Sequence, residues 1–238
     1  MKKQFLLFLA LIFVLPLIVQ AHEEMEATGI TDSFSPITSI LYTCAIITAA
    51  VLISIIFSGK LTSRHKKILF AAIIIPVIFS TVYVAATTVY LNMVSESGGP
   101  VHWHADFEIQ ICGQKVLLKE PEGFDNKVGT SVLHHHNEGT DLDGRYRMHV
   151  EGVLVKKSEA SLSHFFEKTG NLLQNDSIEL FLKDGSQKRR SNGDACPNGN
   201  KGKLKVFVNE KEIQNFTDYV ISPYSKVPPG DFIRIVFE

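Results

Sequence analysis

The chain of 238 residues has almost no charge imbalance, with 24 basic and 25 acidic side chains. A counter-charged polymer such as nucleic acid is therefore not the expected partner. It has no glycine-rich loop of the kind that cradles phosphates, and no serine or cysteine in a recognisable nucleophile setting, which argues against nucleotide enzymes and hydrolases of those classes. Cysteine is scarce, at three residues, and tryptophan is represented once. From Ser33 to Gly59 and again from Ile68 to Val94 there is no acidic or basic residue at all. Each of these stretches is long enough to cross a ~30 Å hydrocarbon layer as a helix.

What is present divides the chain into unlike parts. Met1-Lys2-Lys3 followed by the apolar run Phe5–Val19 and small residues near Ala21 reads as a secretory signal over 1–21, with an uncleaved first span as the alternative. A short segment, 22–36, carries Glu23, Glu24, Glu26 and Asp32. Spans are expected at 37–57 and 68–94, separated by a basic loop, 58–67, with Lys60, Arg64, His65, Lys66 and Lys67. Positive charge stays on the cytoplasmic side, so the loop is cytoplasmic and everything after the second span is extracytoplasmic. The expectation is a multi-pass protein of the cell membrane, in contact with the lipid bilayer and available to a membrane protein partner. Pro36 suits a helix start, and Pro76 predicts a kink.

Residues 95–100 form a linker, and 101–238 form an exported domain long enough to bury its own core. Alternating runs at Val101–Ile111 and Arg145–Val155, with Lys115–Leu118 after a tight turn at Cys112-Gly113, predict hairpin strands; further strands are expected at Ile178–Leu182, Leu204–Val208 and Phe232–Phe237, with a turn and return strand at Asn209–Ile213. Ser158–Thr169 has the spacing of one short amphipathic helix with serine caps, stopped at Gly170. Asp184–Gly202, polar and rich in Gly and Asn, predicts a loop pinned at Cys196. The fold class is α+β, two transmembrane helices followed by a mainly antiparallel β domain. Cys112 and Cys196 are the domain's only cysteines, so a disulfide between them is expected, with a thiolate ligand as the alternative.

Seven of the nine histidines fall in this domain. His102-Trp103-His104 lies on a predicted strand, where alternation turns both imidazoles to one face. In His134-His135-His136 the outer two converge if the segment is extended, and His135 points elsewhere. In His149-Val150-Glu151 the histidine and the carboxylate share a face. His102, His104, His134, His136, His149 and Glu151 are thus candidate ligands for a divalent transition metal, copper or zinc. Glu151 has the alternative role of orienting a ligand imidazole.

The strings HWHADFEI, LHHHN, RMHVEG and SLSHFF resemble a group of exported or membrane-anchored prokaryotic proteins with an HxH…LHxH…HVE histidine-rich domain. The resemblance covers about 101–166. It implies that His102, His104, His134, His136, His149 and Glu151 form a shared site, without implying a reaction. The insertion Glu138–Gly144 departs from that pattern. Lys205–Asn209 together with Pro229–Ile235 resembles the closing strands of β-grasp modules, which implies a fold and no function. Three functions stay open at this level. They are metal storage, delivery or sensing, a metalloenzyme with Glu151 or Glu108 as general base, and an interaction module in which the histidines are incidental.

Overall fold

The computed structural model describes residues 36–121, 126–136, 144–221 and 230–238. The expected signal segment and nearly all of 22–36 lie outside them, as does the inserted segment up to Asp143. The chain forms two compact units, 1–91 and 92–238.

The first unit is built on helices α1 (Pro36–Ile56) and α2 (Ser63–Val94), both long and apolar enough to cross a membrane. At 1.5 Å per residue even the shorter reaches about 30 Å. Ile and Val side chains are exposed along both, with Phe70 and Phe79 on α2, which suits a lipid surround. Two polar contacts join the helices: Ser39 Oγ donates to Ser80 Oγ at 3.2 Å, and Thr43 Oγ1 donates to the Pro76 carbonyl at 3.4 Å. Pro76 is inside α2.

The second helix begins five residues before the charge-free stretch does. The Thr62 hydroxyl accepts from the His65 amide, and the Thr62 amide donates to His65 Nδ1, both at 3.4 Å. This reciprocal cap resembles a capping box with histidine in place of the usual Glu or Gln. Arg64, Lys66 and Lys67 therefore sit on the first helical turns rather than in a loop.

The second unit is a mixed sheet with one helix and a smaller sheet. Strand β1 (Pro100–Ile111) is its centre. It pairs antiparallel with β5 (Arg145–Val153) on one side and parallel with β11 (Asp231–Phe237) on the other. Beyond β5 lie β4 (Leu133–His136) and β3 (Lys127–Gly129). Beyond β11 lie β9 (Leu204–Val208) and β10 (Lys211–Ile213), and the two-residue strand β2 (Gln114–Lys115) folds back on β1. Apart from β1 with β11, all pairs are antiparallel. A second sheet holds β6 (Leu172–Leu173), β7 (Ser177–Phe181) and β8 (Gln187–Ser191). The foreseen turn after Ile111 does fold β2 back on β1, but most of β1 and all of β5 pair with strands that are not their neighbours in a tight hairpin. The segment expected to be a loop contains β8, hydrogen-bonded along β7.

Period-two alternation sends Ala105, Phe107, Ile109 and Ile111 of β1 to the core face, beside Tyr146, Met148 and Val150 of β5 and Ile233, Ile235 and Phe237 of β11. Helix α3 (Leu162–Lys168) covers that face, its Phe165 and Phe166 rings 5.5 and 6.0 Å from Phe107. The predicted single helix is split. Lys157–Ala160 is a 3-10 turn, and Ser161 precedes α3 with its hydroxyl against Ser163 Oγ instead of a backbone amide. Gly170 ends the helix at φ +79°. Cys112, in the β1–β2 turn, is disulfide-bonded to Cys196, closing a separation of 84 residues.

Candidate metal centre

The same alternation that fills the core sends the other set of β1 side chains, His102, His104, Asp106 and Glu108, to the opposite face. Register then decides what they meet. Across β1 and β5, His102 faces Glu151, His104 faces His149, and Asp106 faces Arg147. Across β5 and β4, His149 faces His134, and Arg147 faces His136. His104, His149 and His134 form a row across three adjacent strands, with His102 and Glu151 on one flank and His136 on the other. Directly opposed residues in neighbouring strands have Cβ atoms about 4.5–5.5 Å apart, close enough for imidazoles to converge.

They do converge. His102 Nε2 is 2.8 Å from His104 Nε2, and His134 Nε2 is 3.0 Å from His136 Nε2. Two nitrogens bound ~2.0–2.1 Å from one tetrahedral ion would lie ~3.3 Å apart, so small rotations suffice for either pair to share an ion. The His104 and His136 rings have their centroids 4.5 and 4.6 Å from that of His149, and both are edge-on to it. His134 is stacked on His149 at 5.2 Å. Donor atoms within 4.8 Å of one another form two triples, His102/His104/His149 and His134/His136/His149.

Comparison with family models, curated proteins and solved structures finds no match to this chain. The site is therefore read from its own chemistry.

Glu151 flanks the first triple, with Oε1 3.0 Å from His102 Nε2 and 3.4 Å from His149 Nδ1. Partial burial raises its pKa, but the fields of His134, His102 and His149 and a hydrogen bond from His149 outweigh that and hold the carboxyl below its ordinary range. It is an anion at neutral pH, placed either to bind an ion or to orient the two rings. In the second triple the tautomer of one ring is set. His136 Nδ1 lies 2.7 Å from the carbonyl of Asn126, which can only accept, so Nδ1 carries the proton and the Nε2 lone pair is turned toward His134.

Burial, followed by repulsion from His136 and His149, pushes the pKa of His134 from 6.5 to about 4. His134 is therefore neutral at pH 7, with a lone pair to give to a cation. Its Nδ1 is buried and has no hydrogen-bond partner among the described residues. Arg147 is next in register to His136, but its charge is matched by Asp106, whose Oδ1 accepts from Nε at 3.0 Å.

The other sequence candidates fall elsewhere. His135 points to the core face between Phe107 and Tyr146. Glu108 is buried on the site's face two rows from His104, where it pairs with Lys115 at 3.2 Å and is not a base for this site. His164 is on α3 beside Glu167. Cys112 and Cys196 are bonded to each other, which removes the thiolate-ligand alternative. Two features went unread in the sequence, the use of His149 by both groups and the Asn126 carbonyl behind His136. Both depend on pairings between strands distant in the chain.

Proposed function

We propose that this protein is a membrane-anchored, extracytoplasmic metal-binding protein that holds copper or zinc for storage, delivery or sensing. The observation that carries the reading is the gathering of five imidazoles from three adjacent strands on one face of the sheet. Imidazole with a carboxylate suits divalent zinc and copper, and the domain's two cysteines, joined in a disulfide, offer no soft thiolate for cuprous copper. The disulfide is in keeping with an oxidising compartment. Lys60 between the two helices and Arg64, Lys66 and Lys67 on the first turns of α2 support placing that end of the helices on the cytoplasmic side and the sheet domain outside. The parallel pairing of β1 with β11 is in keeping with the β-grasp likeness of the closing strands, and the HxH…LHxH…HVE resemblance supports a site held in common with that group. A membrane protein that donates or receives the ion is the natural partner.

One feature favours a second reading as a metalloenzyme. The His102 side chain is 60% exposed, so an ion in the first triple would be reachable by solvent, with Glu151 at hand as base.

The test is elemental analysis of the full chain, purified in detergent, equilibrated with copper(II) or zinc and desalted. At least one equivalent should remain bound, and none in the His102→Ala/His104→Ala/His134→Ala/His136→Ala variant. A wild type that retains no metal would remove both metal readings and leave the interaction module.

A further inference from the structure

We propose, resting on the metal-binding reading above, that the histidine face is a two-ion centre in which His149 bridges an exposed ion held by His102 and His104 and a buried ion held by His134 and His136. The five rings form two triples that share one member and do not gather at a single point. The outer pairs come from β1 and β4, which flank β5 on opposite sides. Strands spaced ~4.8 Å apart put these pairs on either side of His149, beyond the reach of a common ion bound at ~2 Å.

An imidazole has two nitrogens whose lone pairs diverge, so it can serve one ion on each edge. Nδ1 of His149 is on the side of Glu151 and His102. His104 and His136 approach the ring from the strands on its two sides, with centroids 4.5 and 4.6 Å away. A single ion in either triple would leave the other pair of nitrogens facing each other without one. On binding the second ion, His149 gives up its remaining ring proton to solvent and bridges as an imidazolate. No oxidation or reduction is involved.

The two positions differ in access. His102 is largely open and His104 half-buried, whereas in the second pair His136 is half-buried and His134 is 2% exposed. The first ion is therefore the exchangeable one and the second the retained one. Such an arrangement suits delivery, since the bridging ring lets occupancy of the buried position alter affinity at the open one.

Full-length protein in detergent is titrated with copper(II), with bound metal measured by elemental analysis and spin coupling by electron paramagnetic resonance. Wild type should bind two equivalents with a coupled, diminished spin signal, and EDTA should remove one well before the other. His102→Ala/His104→Ala should keep only the slowly released ion, and His134→Ala/His136→Ala only the rapidly released one. His149→Ala should weaken both by at least about tenfold, as loss of a ligand exceeds loss of a ligand's supporting contact. Fluorescence of Trp103 reports that each variant is folded. One equivalent in wild type, abolished by either double substitution, would overturn the two-ion centre while the metal-binding reading stands. Two uncoupled equivalents that both survive His149→Ala would overturn the bridge. No bound metal at all is the separate outcome that removes the metal-binding reading itself.

Discussion

The side chain of His135 is turned onto the core face of β4, where its ring lies 6.3 Å from Phe107 and 5.4 Å from Tyr146, with neither nitrogen hydrogen-bonded among the described residues. An imidazole left unpaired in such a place costs about 1–3 kcal/mol relative to an apolar side chain of similar size. Burial, with repulsion from His134, His136 and His149, pushes its pKa from 6.5 to about 4, close to that of His134. Both histidines take up a proton in the unfolded chain below pH 6.5 and resist it in the fold. The stability that keeping these two imidazoles neutral contributes to the metal-free domain is therefore fully present above pH 6.5 and is lost as pH falls from 6.5 to about 4. A shift of that size corresponds to at most about 3 kcal/mol per group. His135→Leu should raise stability at pH 7 by about 1–3 kcal/mol and flatten the loss on acidification, with metal content unchanged. Trp103 is the chain's one tryptophan and packs on the domain core, so its fluorescence during denaturant unfolding at pH 7.5 and pH 5 isolates this domain from the helices. Equal midpoints at the two pH values in wild type would refute the argument.

Among the elements, β4, held against β3, places two of the five histidines, and the approach of the two strands depends on Gly129. Its φ is +123°, and a Cβ there would come within 2.3 Å of the Leu133 carbonyl and 2.9 Å of the His134 Cα, both backbone atoms that move only with β4. The turn between the strands is closed by Thr130, whose amide donates to the Leu133 carbonyl and whose hydroxyl accepts from the Leu133 amide. Gly129→Ala should displace His134 and His136 and weaken the buried metal position by at least about tenfold, while the pair on β1 keeps its metal. Zinc stoichiometry and affinity of the variant check this, and unchanged binding at both positions would show that β4 does not depend on this contact. These elements also mark what the sequence leaves unread. β1, β5, β9 and β11 are legible because one buried face imposes apolar alternation over five residues or more. β3, β4 and β6 are too short to display a period. β8, Gln-Lys-Arg-Arg-Ser, has no apolar member, because it is held by main-chain bonds along β7 at the margin of the small sheet. The H-x-H pairs were visible as pairs, since facing within a strand is a local property. That His149 stands between them is set by β1–β5 and β5–β4 register, which joins residues 45 and 15 positions apart, as in His104↔His149 and His134↔His149.

For the whole molecule, an exported metal carrier requires the sheet domain on the outer side of a membrane, and two tripeptides make that side measurable. Asn175-Asp176-Ser177 and Asn215-Phe216-Thr217 are acceptor sequences for N-linked glycans, and both asparagines are exposed on the domain surface. Thr217 Oγ1 donates to Asn175 Oδ1 at 3.2 Å, so the two acceptors are neighbours in space. Translocation occurs while the chain is still extended, before that contact forms, which leaves both open to the transferase on the exported side. The proposed topology, with α1 and α2 as spans and Lys60, Arg64, Lys66 and Lys67 retained in the cytoplasm, requires that the sheet domain be translocated. Translation of the full chain in the presence of endoplasmic-reticulum membranes should therefore give glycosylated product, seen as a mobility shift that a glycosidase reverses. Asn175→Gln/Asn215→Gln should abolish the shift, and protease added outside intact vesicles should leave the domain whole. Replacing Lys60, Arg64, Lys66 and Lys67 with glutamine removes the charge that orients the helices, so part of the product should then be unglycosylated and digestible. A wild-type domain that stays unglycosylated and open to protease would put the histidine face in a reducing compartment. That outcome cannot be reconciled with a lasting Cys112–Cys196 bond, and it would end the case for an exported metal carrier.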